Sequence, residues 1–125
     1  EVIRDHKSTR LILMNRTELQ QVLVNLMVNA LHAMPDRGTL TLIDVDEFRG
    51  EKPGVLITVH DTGNGMEKEV LDRIFDPFYT TKRREGTGLG LSITKTLIDR
   101  QGGFMDVKST PGEGTEFTIW LPEAD

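Results

Sequence analysis

The chain has 125 residues, enough for one domain with a sizeable core but not for two. Hydrophobic residues make up 37% and charged residues 28% of the composition, which is typical of a globular protein and not of a disordered chain. The formal net charge of −5 argues against general nucleic-acid binding, because that function requires a positive surface. The sequence has no cysteine, no signal-peptide pattern and no apolar run near the roughly 20 residues that span a bilayer. We therefore expect a single cytoplasmic domain over residues 1–125, without direct membrane contact.

The N-terminal third of the sequence predicts one strand and one long helix. The first fifteen residues lack a helix cap and lead to a short apolar strand at Leu11 to Met14, and we interpret them as a truncated N-terminal edge. Thr17 and Gln20 have the spacing of a capping box, which predicts a helix that starts there and continues to Met34. Pro35 then stops it.

The remaining two thirds predict two hairpins separated by helices. The first hairpin has strands at Thr39 to Asp46 and Val55 to His60, joined by a turn at Gly50 to Gly54. A short helix at Glu67 to Ile74 and a longer one at Leu89 to Arg100 follow. The second hairpin has strands at Phe104 to Ser109 and Thr115 to Leu121, joined by a turn at Pro111 to Gly114. This order predicts an α+β fold. We expect an antiparallel or mixed sheet with helices on one face and solvent on most of the other.

The first helix carries a polar stripe beside its apolar one. The apolar stripe predicts the core contacts Leu19, Val22, Leu23, Leu26, Ala30 and Ala33. Asn25, Asn29 and His32 follow each other at i, i+4 and i+7, so they lie along one line of the helix. Asparagine is unusual in mid-helix, so these residues are either exposed surface positions or contacts to one ligand. An amide oxygen suits a hard cation such as Mg²⁺, whereas His32 fits a phosphate or surface contact better than a metal.

A carboxylate followed by two glycines ends the second predicted strand. The segment reads DTGNG and starts at Asp61. A carboxylate only accepts hydrogen bonds, so Asp61 can receive the exocyclic amine of adenine, and Gly63 and Gly65 would let the backbone approach the base. The alternative is an ordinary Asp-Gly turn.

The stretch from Ile74 to Ile93 reads IFDPFYTTKRREGTGLGLSI, which suits a mobile flap over a flat, anionic ligand. Its aromatic and basic residues are followed by glycines at alternate positions, whose backbone N–H groups can point at phosphate oxygens. The next helix begins there and directs its positive end to the same place. The residues concerned are Phe75, Phe78, Lys82, Arg83, Arg84, Gly86, Gly88 and Gly90. The basic run alone could equally be a solvated face. The Walker motif and a complete GxGxxG are both missing, so any phosphate is bound differently.

Five boxes in this order resemble the ATP-binding catalytic domain of sensor histidine kinases, in the gyrase, heat-shock-90, histidine-kinase and MutL superfamily. They are QVLVNLMVNALHAM (Gln21 to Met34), VHDTGNGM (Val59 to Met66), FDPFYTTK (Phe75 to Lys82), GTGLGLS (Gly86 to Ser92) and GEGTEF (Gly112 to Phe117). The F box and the short gap after it are most similar to the nitrogen-regulation branch. The resemblance implies the two-layer α/β sandwich of the Bergerat type, with a mixed, mainly antiparallel sheet.

The resemblance also implies roles for particular residues of the boxes. Asn29 would coordinate Mg²⁺, with Asn25 and His32 as further catalytic contacts, and Asp61 would receive the adenine amine. The other implied nucleotide contacts are Gly63, Gly65, Met66, Phe75, Phe78, Lys82, Gly86, Thr87, Gly88, Leu89, Gly90, Leu91 and Thr115. Gly112 and Gly114 of the last box lie in a strand-to-strand turn and are most simply a hairpin device.

Asn25 distinguishes between branches of the superfamily. The ATP-hydrolysing branch carries a glutamate there as general base, and an amide cannot take a proton. The resemblance therefore implies transfer of the γ-phosphoryl group to a histidine on a separate dimerisation domain, with a response regulator downstream. His6, His32 and His60 lack the setting of a phosphoacceptor, so we expect this chain alone not to autophosphorylate. The alternatives are an ATPase of the same fold and a nucleotide-sensing module without catalysis.

Overall fold

The computed structural model describes residues 2–6, 16–34, 37–75 and 90–123, and of residues 2–6, 16 and 90 only the backbone. Within these ranges the chain forms strand β1 (Val2–His6), helix α1 (Arg16–Ala33), strands β2 (Leu40–Arg49) and β3 (Lys52–Asp61), helices α2 (Lys68–Leu71) and α3 (Gly90–Arg100), and strands β4 (Phe104–Thr110) and β5 (Gly114–Pro122). None of the helices described is both long and apolar enough to cross a membrane.

The five described strands form one mixed sheet in the order β1-β2-β3-β5-β4. β2 and β3 form one hairpin, β4 and β5 form the other, and β3 and β5 join the hairpins in antiparallel register. Only β1 is parallel to its neighbour, β2. The predicted α+β class and mainly antiparallel sheet are therefore confirmed.

The core lies between the sheet and the two longer helices. Its fully buried side chains include Val22 and Leu26 of α1, Ile98 of α3, and Ile119 and Leu121 of β5. Because alternate residues of a strand point to opposite faces, these two β5 residues leave Trp120 on the face away from the helices. The predicted apolar stripe of α1 is confirmed at its centre, where Ala30 is also buried.

Trp120 is an exception to the predicted solvated face, because only 3% of it is exposed. Its indole occupies the space where a side chain at Gly54 would begin, and Nε1 donates to the Glu47 carbonyl oxygen at 3.0 Å. Nearby, the Arg49 guanidinium lies 3.9 Å from the centre of the Phe104 ring. Since β3 and β5 lie between β2 and β4, this contact spans the face on which Trp120 lies.

Three local predictions differ from the structure, and one strand was not predicted. Strand β1 was not predicted, and the strand expected at Leu11 to Met14 lies outside the described residues. The first hairpin turn has two residues, because Arg49 pairs with Lys52 and the strands continue through the predicted loop. Helix α2 has only four residues. Helix α1 begins at Arg16, so Thr17 lies in its first turn and not at its cap.

Candidate functional site

The polar stripe of α1 borders the core without entering it. Asn25 and His32 are half-buried and Asn29 is exposed, while Leu26 and Ala30 between them are buried. A helix rises about 1.5 Å per residue, so the stripe extends for about 10 Å along α1. This face offers an accessible amide at Asn29 with a second amide one turn before it.

Asn25 ties α1 to α3. Its side-chain Nδ2 donates to the Thr94 hydroxyl at 3.1 Å, and Thr94 is fully buried. Thr94 lies one turn after Gly90, the residue at which α3 begins. The N-terminal end of the polar stripe is therefore anchored to the helix that follows the predicted flap.

Asp61 is a buried carboxylate at the end of β3, with only 4% of its surface exposed. Its Oδ1 accepts a hydrogen bond from the Gly63 N–H at 2.8 Å. Burial is the largest effect on the carboxyl and raises its pKa above the ordinary value of 3.8, while the backbone N–H groups of Gly63 and Thr115 and the nearby His60 act in the opposite direction. A buried carboxyl whose pKa is raised by burial is typical of functional sites.

The loop after Asp61 packs against the C-terminal end of α1. The Asn64 N–H donates to the Ala33 carbonyl oxygen at 3.0 Å, which satisfies one of the free carbonyls of the helix end. A Cβ at Gly63 would lie 2.5 Å from the same oxygen, so only glycine fits there without a shift. This contact brings the C-terminal end of the polar stripe next to Asp61.

The same loop is closed on its other side by the turn between β4 and β5. The Gly112 N–H donates to the Asn64 carbonyl oxygen at 2.7 Å. Gly65 has φ +70°, and a Cβ there would lie 2.1 Å from the Thr110 carbonyl oxygen. The prediction that Gly112 and Gly114 form a hairpin turn is confirmed, but the turn also holds the Asp61 loop.

Ser109 is a central residue of this contact that sequence reasoning missed. Its hydroxyl lies 2.8 Å from the Met66 backbone nitrogen, 2.8 Å from the Thr115 hydroxyl and 3.0 Å from the Gly114 carbonyl oxygen. A signal for it was present in the sequence. Met105 and Val107 point to the core, so the next inward position of β4 is Ser109, and a polar residue there needs partners.

The predicted contacts on either side of the flap are only partly described. Phe75 and Leu91 are half-buried and pack against the core, and Gly90 is the first residue of α3. The other predicted flap contacts lie outside the described residues; they are Phe78, Lys82, Gly86, Thr87, Gly88 and Leu89, together with Arg83 and Arg84.

Backbone hydrogen bonds join α1, the Asp61 loop and the β4–β5 turn, and these three segments make up the candidate site. The site has a buried carboxylate at Asp61, which accepts hydrogen bonds, a buried hydroxyl at Thr115 and an exposed side-chain amide at Asn29. Among the described residues, no three His, Cys, Asp or Glu side chains come together to hold a metal ion. A single amide oxygen fits Mg²⁺ when substrate phosphates and water supply the other ligands.

Comparison with known proteins identifies the family. A family model described as histidine kinase-, DNA gyrase B-, and HSP90-like ATPase matches residues 14–125, and the chain belongs to that family. The chain is 46% identical over 104 residues to the sensor histidine kinase ZraS of Salmonella typhi, covering 83% of this chain and 22% of that protein. It is 41% identical over 109 residues to sporulation kinase A of Bacillus subtilis strain 168, covering 87% of this chain and 17% of that protein.

Solved structures give the same result. The catalytic domain of the histidine kinase ThkA matches with a TM-score of 0.79 and 30% identity, over 99% of this chain and 82% of that one. Full-length ShkA in complex with AMPPNP matches with a TM-score of 0.83 and 31% identity, over 99% of this chain and 26% of that one. The resemblance to histidine kinase catalytic domains is thus confirmed, while the nitrogen-regulation branch stays a prediction.

Proposed function

We propose that residues 1–125 form one domain that binds Mg-ATP and donates its γ-phosphoryl group to a histidine on a separate dimerisation domain of a two-component sensor kinase. The observation that carries this proposal is Asp61, a buried carboxylate in a glycine-lined loop beside the polar stripe of α1. The chain spans about a fifth of the curated relatives that it matches, so the acceptor and the downstream response regulator belong to the proposal.

Asp61 supports adenine recognition. Its carboxylate is fixed by the Gly63 N–H, and its remaining acceptor capacity suits the two N–H donors of an adenine amine. Gly63 and Gly65 lie close to backbone on both sides, so the loop has little freedom to move. We assign Met66 and Thr115 to the same end of the site, since both contact Ser109.

Asn29 and His32 form the phosphate end of the proposed site. The exposed Asn29 amide would hold Mg²⁺, which neutralises charge on the phosphates of the nucleotide. His32, one turn further along α1, would contact a phosphate. The predicted flap contacts Phe78, Lys82, Gly86, Thr87, Gly88 and Leu89 complete this end of the proposal, together with Phe75, Gly90 and Leu91.

Asn25 favours phosphoryl transfer to histidine over hydrolysis. Its amide has no basic site, and its Nδ2 is committed to Thr94. A water nucleophile needs a general base, whereas a neutral imidazole attacks with its own lone pair. We therefore assign to Asn25 the role of positioning α1 against α3. The acceptor of the γ-phosphoryl group is then a histidine. Such a sensor kinase would act in the cytoplasm with no nucleic acid involved.

A transfer assay tests this proposal. With γ-labelled ATP and Mg²⁺, the chain alone should give no acid-labile phosphohistidine, and label should appear when the parent kinase's dimerisation domain is added. His6 and His60 lie in strands and His32 in α1, so none of them occupies an exposed helical hairpin. Asn29→Ala should abolish the labelling. Steady release of phosphate by the wild-type chain alone, lost in Asn29→Ala, would instead identify an ATPase.

A further inference from the structure

The Ser109 hydroxyl has three neighbours of different hydrogen-bonding character. The Met66 backbone N–H is a donor only, at 2.8 Å, and the Gly114 carbonyl is an acceptor only, at 3.0 Å. The third neighbour, the Thr115 hydroxyl at 2.8 Å, can act as either. A serine hydroxyl has one proton to donate and two lone pairs to accept with.

This arrangement determines where the proton of Thr115 lies. Ser109 accepts from Met66 and donates its one proton to Gly114, since neither of these partners can reverse its part. The Thr115 hydroxyl must then donate to Ser109, and its own oxygen is left as an acceptor. Every polar contact of Ser109 is satisfied by this assignment alone.

Thr115 and Asp61 are direct cross-strand partners. The Cβ atoms of such a pair are about 4.5–5.5 Å apart, so the two side chains border the same space. Both are buried and both would present only oxygen acceptors to a ligand. Such a pair accepts the amine of a 6-aminopurine and opposes the carbonyl of a 6-oxopurine, because an acceptor facing an acceptor is left without a partner.

We propose that Ser109 is a specificity-determining residue which, by holding the Thr115 proton, makes the site select adenine over hypoxanthine nucleotides. This inference rests on the proposed ATP-binding function. Ser109 acts through Thr115 and is a positioning residue, not a catalytic one. Without its hydroxyl, the Thr115 proton is free to turn toward a purine carbonyl.

Titration calorimetry with ADP and IDP, each with Mg²⁺, tests the proposal through the ratio of their dissociation constants. A merely structural change would alter phosphate and metal binding equally for ADP and IDP. Such a change therefore cancels in the ratio of the two dissociation constants. Wild type should prefer ADP, and Ser109→Ala should lower that preference by about tenfold. Ser109→Thr keeps a hydroxyl and should restore the preference. Thr110→Ala, an exposed position on the opposite face of the same strand, should leave it unchanged.

The outcomes separate this inference from the function beneath it. If wild type binds ADP but Ser109→Ala retains the full preference, the inference is overturned and ATP binding stands. If wild type binds neither nucleotide, both fail. A measurement on wild type alone covers the case in which Ser109→Ala does not fold. The Thr115 hydroxyl proton should exchange slowly with water by NMR and show a contact to Ser109, and rapid exchange would overturn the inference.

Discussion

Replacing Gly65 with alanine tests whether the Asp61 loop must lie directly against the β4–β5 turn. Gly65 has φ +70°, and a Cβ there would lie 2.1 Å from the Thr110 carbonyl oxygen. Gly112 is a matched control in the same contact. It has φ +80°, but a Cβ there would meet nothing within 4 Å, and its N–H bond to Asn64 is retained in an alanine variant.

The difference between the two variants isolates the close approach. A non-glycine residue in the left-handed region loses about 1–2 kcal/mol, which applies to both positions. Forcing an extra methyl group against packed backbone adds about 1–3 kcal/mol at Gly65 only. We therefore expect Gly112→Ala to lower the free energy of unfolding by about 1–2 kcal/mol and Gly65→Ala by about 2–5 kcal/mol.

Urea denaturation followed by circular dichroism measures both values, and calorimetry with ADP measures the effect on the site. Gly65→Ala should also weaken ADP binding more than Gly112→Ala, because the loop that it displaces begins at Asp61. Equal losses of stability in the two variants would refute the argument, since the positive φ alone would then account for Gly65.

Two further predictions concern buried polar groups. Asn25→Ala and Thr94→Val should each destabilise the domain, and a double-mutant cycle should give a coupling energy of about 0.5–1.5 kcal/mol for the bond between α1 and α3; additive effects would show that the bond contributes nothing. Because the pKa of Asp61 is raised in the folded state, the folded chain binds the carboxyl proton more tightly than the unfolded chain does. The contribution of this group to the free energy of unfolding therefore falls as pH rises from 3.8 through the raised pKa. The unfolding free energy of Asp61→Asn minus that of wild type should therefore increase over this pH range, and a decrease would contradict the burial argument.

The pattern of apolar residues was sufficient to predict the helices and hairpins. α3 carries a clear 3.6-residue period, and both hairpins are marked by glycine turns. The period of α1 is weaker, because Val24, Val28 and Leu31 are apolar but exposed. β1 was not predictable in this way, because its place depends on pairing with β2, more than 30 residues away. The strands of the first hairpin were predicted too short because Pro53 and Gly54 resemble a turn. Gly54 instead lies in β3, where the Trp120 indole leaves no room for a side chain.

Residues of the candidate site were predictable where the side chain itself limits what it can bind. They were less predictable where the role depends on a hydrogen-bond partner elsewhere in the sequence. The order of Asp61 and its glycines predicted either a ligand contact or an ordinary turn, and the structure shows that the carboxylate is buried. Asn25 and Thr94 are 69 positions apart in the sequence. The contacts of Ser109 reach residues up to 43 positions away. No local pattern records such pairs, although the inward position of Ser109 on β4 shows that a polar partner is needed.

Titration of the chain with a non-hydrolysable ATP analogue tests the central claim most directly. The wild type should bind the analogue, and removal of Mg²⁺ should weaken binding. Asp61→Asn replaces an acceptor by a donor opposite the adenine amine and should weaken binding by about 10–100-fold. Asp106→Asn makes the same change at an exposed position of β4 and should have no effect. An Asp61→Asn variant that is folded and binds as tightly as wild type would contradict the account.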